Sequence, residues 1–298
     1  MAAYSFWGSN RATFAYMKPQ ASPEQLQQRL DRGEKVRSVE DMSQEYYDAL
    51  LNLMLMQADS ELAGGVGYMP WIARAPGIDE KYVVSNMVRE EIGHAHIMYK
   101  LLRAIGFDVD AHVAQHDWDM RVEADNIGTQ RLAEDKRVNI FYYPIETWAD
   151  FIMFNFCMDR GAAHQLHDAE RCSYAPWNRA IKKIGEEEAG HLRHGDLWVQ
   201  KMAEDPTTHD EVQEALNSWF PRVMNIFGRP GTPKNQLYRR LGLKVRDNDD
   251  VRRAFVDDIT PKLEAWRLRL PDWAPPWEQQ GRQMEYVETR DEARYVSG

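Results

Sequence analysis

The chain has 298 residues, 43% of them hydrophobic, with ten Trp, thirteen Tyr and fourteen Met, which is ample for a large core. A formal net charge of -10 argues against nucleic acid as the main partner, because phosphate contacts need clustered Lys and Arg. No run of about 18 apolar residues marks a membrane span. Residues 1–22 lack the apolar stretch of a signal peptide, and two cysteines, Cys157 and Cys172, suit a reducing compartment, so the expected location is the cytoplasm.

Residues 1–40 mix Gly, Pro and charge and read as an irregular N-terminal arm. Residues 41–270 read as one helical domain, and 271–298, rich in Pro, Trp and charge, as a C-terminal tail. From Ser43 to Leu62 helical propensity is strong, and Ala49–Met56 is apolar nearly all round, as expected of a central helix. Gly64, Gly65 and Gly67 are expected to end it, with a loop over Pro70–Gly77. Asp79 can cap a second helix running to about Ile105 and closed by Gly106. Residues 107–139 are polar and show no clean period. Pro144 fits the first turn of a third helix, about 144–170, broken at Ser173 and Pro176. A fourth helix is predicted over about 177–203, a fifth from Asp210 to about Phe227, and a last helical region over roughly 249–269, which Pro261 should kink or split. No segment alternates with period two, so the fold class is all-α: a four-helix bundle with additional C-terminal helices.

One phrase occurs twice. Glu91-Ile92-Gly93-His94 and Glu188-Ala189-Gly190-His191 both read E-x-G-H, and each follows another glutamate, Glu90 or Glu187. Glu and His three apart share a helix face. Two such helices with one carboxylate from each of two more make the ligand set of a paired iron or manganese site in a bundle core. The preceding helices offer Glu61, preferred to Asp59 two residues away, and Asp150, with Glu146 as a rival that spacing alone does not exclude. Two Fe(II) ions carry four positive charges. Four carboxylates and two neutral histidines match them and leave positions open for oxygen. Burying four unpaired carboxylates would cost several kcal/mol each, so metal or protons must offset them. Glu90, Glu187 and His194 are expected outside the ligand set. His96 lies off the His94 face and reads as a core or pocket histidine. Tyr68, Trp71, Trp148 and Phe151 lie near the ligands in sequence and are candidates for a pocket wall or for plain core.

With those residues placed, the chain resembles the family of phenylacetyl-CoA epoxidase catalytic A subunits, which are bacterial, ferritin-like, di-iron multicomponent oxygenases. The resemblance spans about residues 45–272. It rests on Ser60-Glu61-Leu62, Trp71-Ile72-Ala73-Arg74-Ala75-Pro76, Glu91-Ile92-Gly93-His94, Trp148-Ala149-Asp150, Ser173-Tyr174-Ala175-Pro176 and Glu188 with His191, and further on Trp219, Pro221, Phe227-Gly228 and Phe255-Val256-Asp257. It implies Glu61, Glu91, His94, Asp150, Glu188 and His191 as metal ligands, choosing Asp150 over Glu146. It places Lys136 near a coenzyme A moiety. Asn52 stands where the family pattern leads one to expect an arginine near the thioester ligand.

The resemblance further implies a monooxygenase that epoxidises the ring of an aromatic acyl-CoA. The cofactor would be two iron ions, with manganese possible, and electrons would come from a separate NAD(P)H-dependent reductase. The chain would work beside a related structural subunit or as a homodimer. Two alternatives are a ferroxidase or manganese/iron ferritin-like protein with no organic substrate, and a non-catalytic scaffold subunit. An apolar cavity of several hundred Å3 beside the metals would favour the oxygenase.

Overall fold

In the computed structural model, residues 18–119, 121 and 134–275 are described. Among them all regular secondary structure is helical, apart from one isolated parallel bridge between Val36 and Tyr174. A short helix α1 (Pro23–Asp31) lies within the predicted arm, capped by Ser22 with Gln25 answering it. The bridge and the Lys35 ammonium, which donates to the carbonyls of Arg171 and Cys172, tie this segment to the bundle.

Four long rods form the bundle. Helix α2 is Gln44–Arg74, α3 is Gly77–Ala104, and after α4 (Val109–Gln115) the third rod is α5 (Trp148–Phe154), a π-helical turn (Asn155–Asp159) and α6 (Arg160–Ala169) in sequence. The fourth rod is α7 (Ala175–Glu204). Helix α8 (His209–Ile226) packs on the third and fourth rods, α9 (Pro233–Arg240) bonds to α2 through Tyr238 and Arg240, and α10 (Asn248–Ala265) packs on the third rod. No described helix is long and apolar enough to cross a membrane.

Three expectations need correction. Gly64, Gly65 and Gly67 do not end α2, which runs on through Pro70 to Arg74. Their backbone is helical, and the reason is proximity. A Cβ on Gly65 would stand 2.8 Å from Ile92 Cγ1 and one on Gly64 3.3 Å from Glu91, so these two glycines let α2 and α3 close up at the level of Glu91, while Gly67 faces Arg121. Close packing along the hairpin outweighs the ~1 kcal/mol helix penalty of each glycine. Pro144 does not open the third rod. Thr147 does, as the N-cap of a capping box closed by Asp150. Nor does Pro261 split α10.

The core divides into two apolar clusters with a polar layer between them. One contains Leu50, Leu53, Met54, Ala58, Met98, Leu102, Ile181 and Ile184. The other contains Tyr68, Trp71, Val84, Met87, Phe151, Phe154, Phe156 and Trp219. Along α2, α3 and α7 the order is the same: apolar cluster, ionisable residues, apolar cluster. Trp148 stacks on Phe151 at 5.0 Å and Trp71 packs tilted against both at 5.1 and 6.0 Å, so these rings belong to the core. Both cysteines are buried and free.

Candidate metal centre

Antiparallel packing sets the level of the polar layer. Glu61 lies thirteen residues before the end of α2, and Glu91 fourteen after the start of α3, so the two come side by side. On α7, Glu188 is thirteen residues in from Ala175. Its counterpart on the third rod is Asp159, at the end of the π-helical turn and ten residues before the end of α6.

Potential ligand atoms of Glu61, Glu91, His94 and Glu188 lie within 4.8 Å of one another, and so do those of Asp159, Glu188 and His191. Glu188 belongs to both groups, which suits a carboxylate placed between two ions. The ring centroids of His94 and His191 are 6.4 Å apart. His94 Nδ1 stands 3.1 Å from Glu188 Oε1 and 3.5 Å from Glu61 Oε2. His191 Nδ1 stands 3.2 Å from Glu91 Oε1, 3.4 Å from Glu188 Oε2 and 3.9 Å from Asp159 Oδ2.

The structure therefore brings Glu61, Glu91, His94, Glu188 and His191 together and leaves Asp150 out. Asp150 is the third residue of α5. One carboxylate oxygen accepts from the Thr147 and Glu146 backbone N–H groups at 3.0 and 3.3 Å, and the other accepts from the Trp219 indole at 2.9 Å. It is a helix cap, nine residues or about 13 Å along the rod from Asp159. Glu146 is exposed outside the bundle. The missed residue carried a signal. Glu61 precedes Glu91 by thirty residues, Asp159 precedes Glu188 by twenty-nine, and Asp150 precedes it by thirty-eight.

The outer nitrogens of the two histidines are held crosswise. His94 Nε2 meets Glu187 at 2.9 Å, and His191 Nε2 meets Glu90 at 3.1 Å. Each E-E-x-G-H segment thus lends its first glutamate to the other's histidine. A carboxylate on Nε2 fixes the tautomer with hydrogen on Nε2 and the lone pair on Nδ1. Both Nδ1 atoms are buried and make no hydrogen bond among the described residues. Two orphaned lone pairs aimed at a carboxylate cluster fit a pair of metal ions, and the oxygen-rich donor set with one nitrogen each suits iron or manganese.

The proton balance without metal gives the same picture. Burial, reinforced by the charge of Glu188, raises the Glu91 carboxyl well above its usual range. Burial pushes Asp159 up to about 8. Burial also opposes ionisation of Glu188, but the adjacent His191 and His94 rings outweigh it and hold the carboxyl low, at about 2. For His94, burial favours the neutral ring, yet Glu188 and Glu61 outweigh it and raise the pKa to about 11. His191 is raised further by Glu188 and Glu91 against the same burial cost. Protons stand in for the positive charge that metal would bring.

Beside the cluster lies a cavity of about 110 Å3, walled by Leu53, Met56, Phe141, Met158 and Leu166 and reaching Glu61, Glu91, Asp159 and Glu188. That is smaller than the several hundred Å3 expected. Tyr68 also lines it and donates to Asp159 Oδ1 at 3.4 Å. Burial, with Asp159 and Glu91 nearby, raises the Tyr68 hydroxyl well above 10, so it keeps its proton. Lys136 is half-buried, its backbone N–H on Asp59 Oδ2 at 3.0 Å, and Val138 two residues on reaches the cavity wall. Asn52 donates to the Tyr238 hydroxyl at 3.0 Å. His96 is exposed on α3, away from any core.

Several known proteins are similar to this chain. The A subunit of the 1,2-phenylacetyl-CoA epoxidase of Escherichia coli (strain K12) is 28% identical over 253 residues, covering 84% of this chain and 77% of that one. Benzoyl-CoA oxygenase component B of Aromatoleum evansii is 24% identical over 204 residues, which cover 67% of this chain but 40% of that protein. Among solved structures, a Synechococcus protein with aldehyde deformylating oxidase activity superposes with a TM-score of 0.54 at 12% identity, covering 85% of this chain and 96% of that one. An R2-like ligand-binding oxidase superposes with a TM-score of 0.53 at 14% identity, covering 91% and 100%. At those identities the likeness establishes the ferritin-like fold. Residues 20–295 match the family described as phenylacetic acid catabolic protein, and the chain belongs to that family as a ferritin-like enzyme of the di-iron oxygenase class.

Proposed function

We propose that this chain is the catalytic subunit of a monooxygenase with Glu61, Glu91, His94, Asp159, Glu188 and His191 holding two iron ions, and that it adds one oxygen atom to the ring of an aromatic acyl-CoA thioester. The carrying observation is the pair of buried Nδ1 lone pairs facing four carboxylates at the end of an apolar cavity. When bound, the metal pair would supply oxygen activation, fed by two electrons from a separate NAD(P)H-dependent reductase. The balance is substrate, O2, two electrons and two protons in, and epoxide and water out.

The chain's own residues have three tasks. The wall formed by Leu53, Met56, Phe141 and Met158 desolvates an apolar group and holds it against the carboxylates. About 110 Å3 is below the roughly 150 Å3 of an apolar cavity that takes up benzene, so the cavity would hold at most one ring. The remainder of a thioester would then lie outside the cavity, with Lys136 the candidate for its coenzyme A end. Glu187 and Glu90 keep the histidines in their binding tautomer. Tyr68 keeps a proton beside Asp159 within the water-poor wall.

The apolar lining beside the carboxylates supports this reading over a ferroxidase, which would have no use for one, although the volume falls short of the several hundred Å3 expected of an oxygenase. The complete donor set favours it over a scaffold subunit. The test is oxygen consumption by the reductase-coupled, iron-loaded protein with a panel of acyl-CoA thioesters against Fe(II) alone. Consumption tied to an aromatic thioester with oxygenated product, and about two irons per chain, is expected. One metal per well-loaded chain, or turnover with Fe(II) and none with thioesters, would overturn it.

A further inference from the structure

Both carboxylates contributed by the first helices of the two hairpins are held by the same device. Glu61 Oε1 accepts from the side-chain amide of Gln57, four residues earlier on α2, at 3.0 Å. Asp159 Oδ2 accepts from the side-chain amide of Asn155, also four residues earlier. Each amide is gripped in turn by a ring nitrogen from α7. Trp177 Nε1 donates to Gln57 Oε1 at 2.8 Å, and His194 Nδ1 meets Asn155 Oδ1 at 3.2 Å. Glu80 holds the far side of His194, at 2.9 Å from Nε2.

An indole N–H can only donate. It therefore dictates that Gln57 turns its oxygen to Trp177 and its NH2 to Glu61, whatever proton Glu61 carries. Asn155 is held differently: with Glu80 on Nε2, His194 presents its Nδ1 lone pair, so that contact does not dictate which way the amide turns. We propose that Gln57, locked from α7 by Trp177, is an amide clamp that orients Glu61 for metal, and that Asn155 is its counterpart on Asp159. They are positioning residues. An amide donor on one carboxylate oxygen stabilises the ionised form and restricts rotation, leaving the remaining lone pairs to the metal. The shape of the rods makes room for the device. A Cβ on Gly195 would meet Phe156 Cα at 2.9 Å and Asn155 Oδ1 at 3.1 Å, so glycine there lets α7 reach the π-helical turn. The two clamps differ in setting: Gln57 and Trp177 line the cavity, whereas Asn155 is fully buried.

The inference rests on the cluster binding metal, and the test separates the two. The metal-free full-length protein is titrated anaerobically with Co(II) against a competing chelator, reading affinity and the visible bands that report ligand geometry. Gln57→Leu and Trp177→Phe should each weaken binding by about 10–100-fold and shift the bands, with circular dichroism unchanged. The double variant should be no weaker than the worse single one, because the two side chains act as one unit. Asn155→Leu, which removes the amide donor to Asp159, should weaken the second ion, and the cavity-side pair keeps the test valid if that variant fails to fold. Wild-type affinity and bands in both Gln57→Leu and Trp177→Phe, or fully additive losses in the double variant, would overturn the clamps alone. A wild-type protein that takes up no Co(II) would refute the metal reading itself.

Discussion

Asp159 and Asp150 give opposite predictions for one chemical change, Asp→Asn. In the metal-free protein Asp159 is a buried acid whose pKa rises from 3.8 to about 8. A raised folded-state pKa contributes stability that is full below pH 3.8 and is lost as pH rises through 8. At pH 7 the loss is on the order of 4 kcal/mol, at about 1.36 kcal/mol per pKa unit. Asp159→Asn removes that burden, so the metal-free variant should melt at or above the metal-free wild type at neutral pH, and the difference should shrink toward pH 4. The same variant should bind about one metal per chain instead of two. Asp150→Asn should do the reverse. It weakens a capping box worth roughly 1 kcal/mol and a charge-assisted bond to Trp219 worth about 1.5–3 kcal/mol. Metal content should stay at two per chain while the midpoint falls by about 4–8 °C, taking a loss of about 2 kcal/mol in a domain of this size. Metal analysis and scanning calorimetry of both variants, with and without chelator, decide the matter. Loss of metal from Asp150→Asn, or two tightly held metals in Asp159→Asn, would refute this assignment.

Glu90→Gln and Glu187→Gln should each lower metal affinity about 10–100-fold by weakening the bonds that set the histidine tautomers, measured by chelator competition. Metal binding at pH 7 should release protons from His94, His191, Glu91 and Asp159, so apparent affinity should rise with pH, and titration calorimetry in buffers of different ionisation heat should count them. Gly195→Ala should cost about 1–3 kcal/mol by forcing α7 off the Phe156 backbone, and it should lower metal occupancy in the same preparation, checked by thermal melting and metal analysis.

Much of this was legible in the sequence because helical periodicity and a repeated ligand phrase are local properties. E-x-G-H needs only a helix to bring Glu and His to one face, and α3 and α7 supply it. What failed depended on partners distant in sequence. Asp150 follows an N-cap threonine and sits among aromatics, so its local surroundings look right, and only its register against α7 betrays it. Equal spacing within the two hairpins would have chosen Asp159. The π-helical turn that carries it leaves no mark in the order of apolar residues 151–158, all but one of which are buried hydrophobics. The glycines of α2 misled for a related reason. Their effect on the isolated helix is visible in sequence, whereas the closeness of Ile92 is a property of the pair.

The deeper regularity is the exchange between the two hairpins. Neither E-E-x-G-H segment completes a binding histidine alone, since His94 needs Glu187 and His191 needs Glu90. The same holds for the clamps, where α7 supplies the ring nitrogens for amides on both α2 and the third rod. One hairpin by itself would hold a histidine with an undirected tautomer and carboxylates with no charge to balance them. The metal-binding geometry is therefore a property of the docked pair. It follows that loosening the α3–α7 contact should release both ions together, because each histidine loses its orienting carboxylate in the same event.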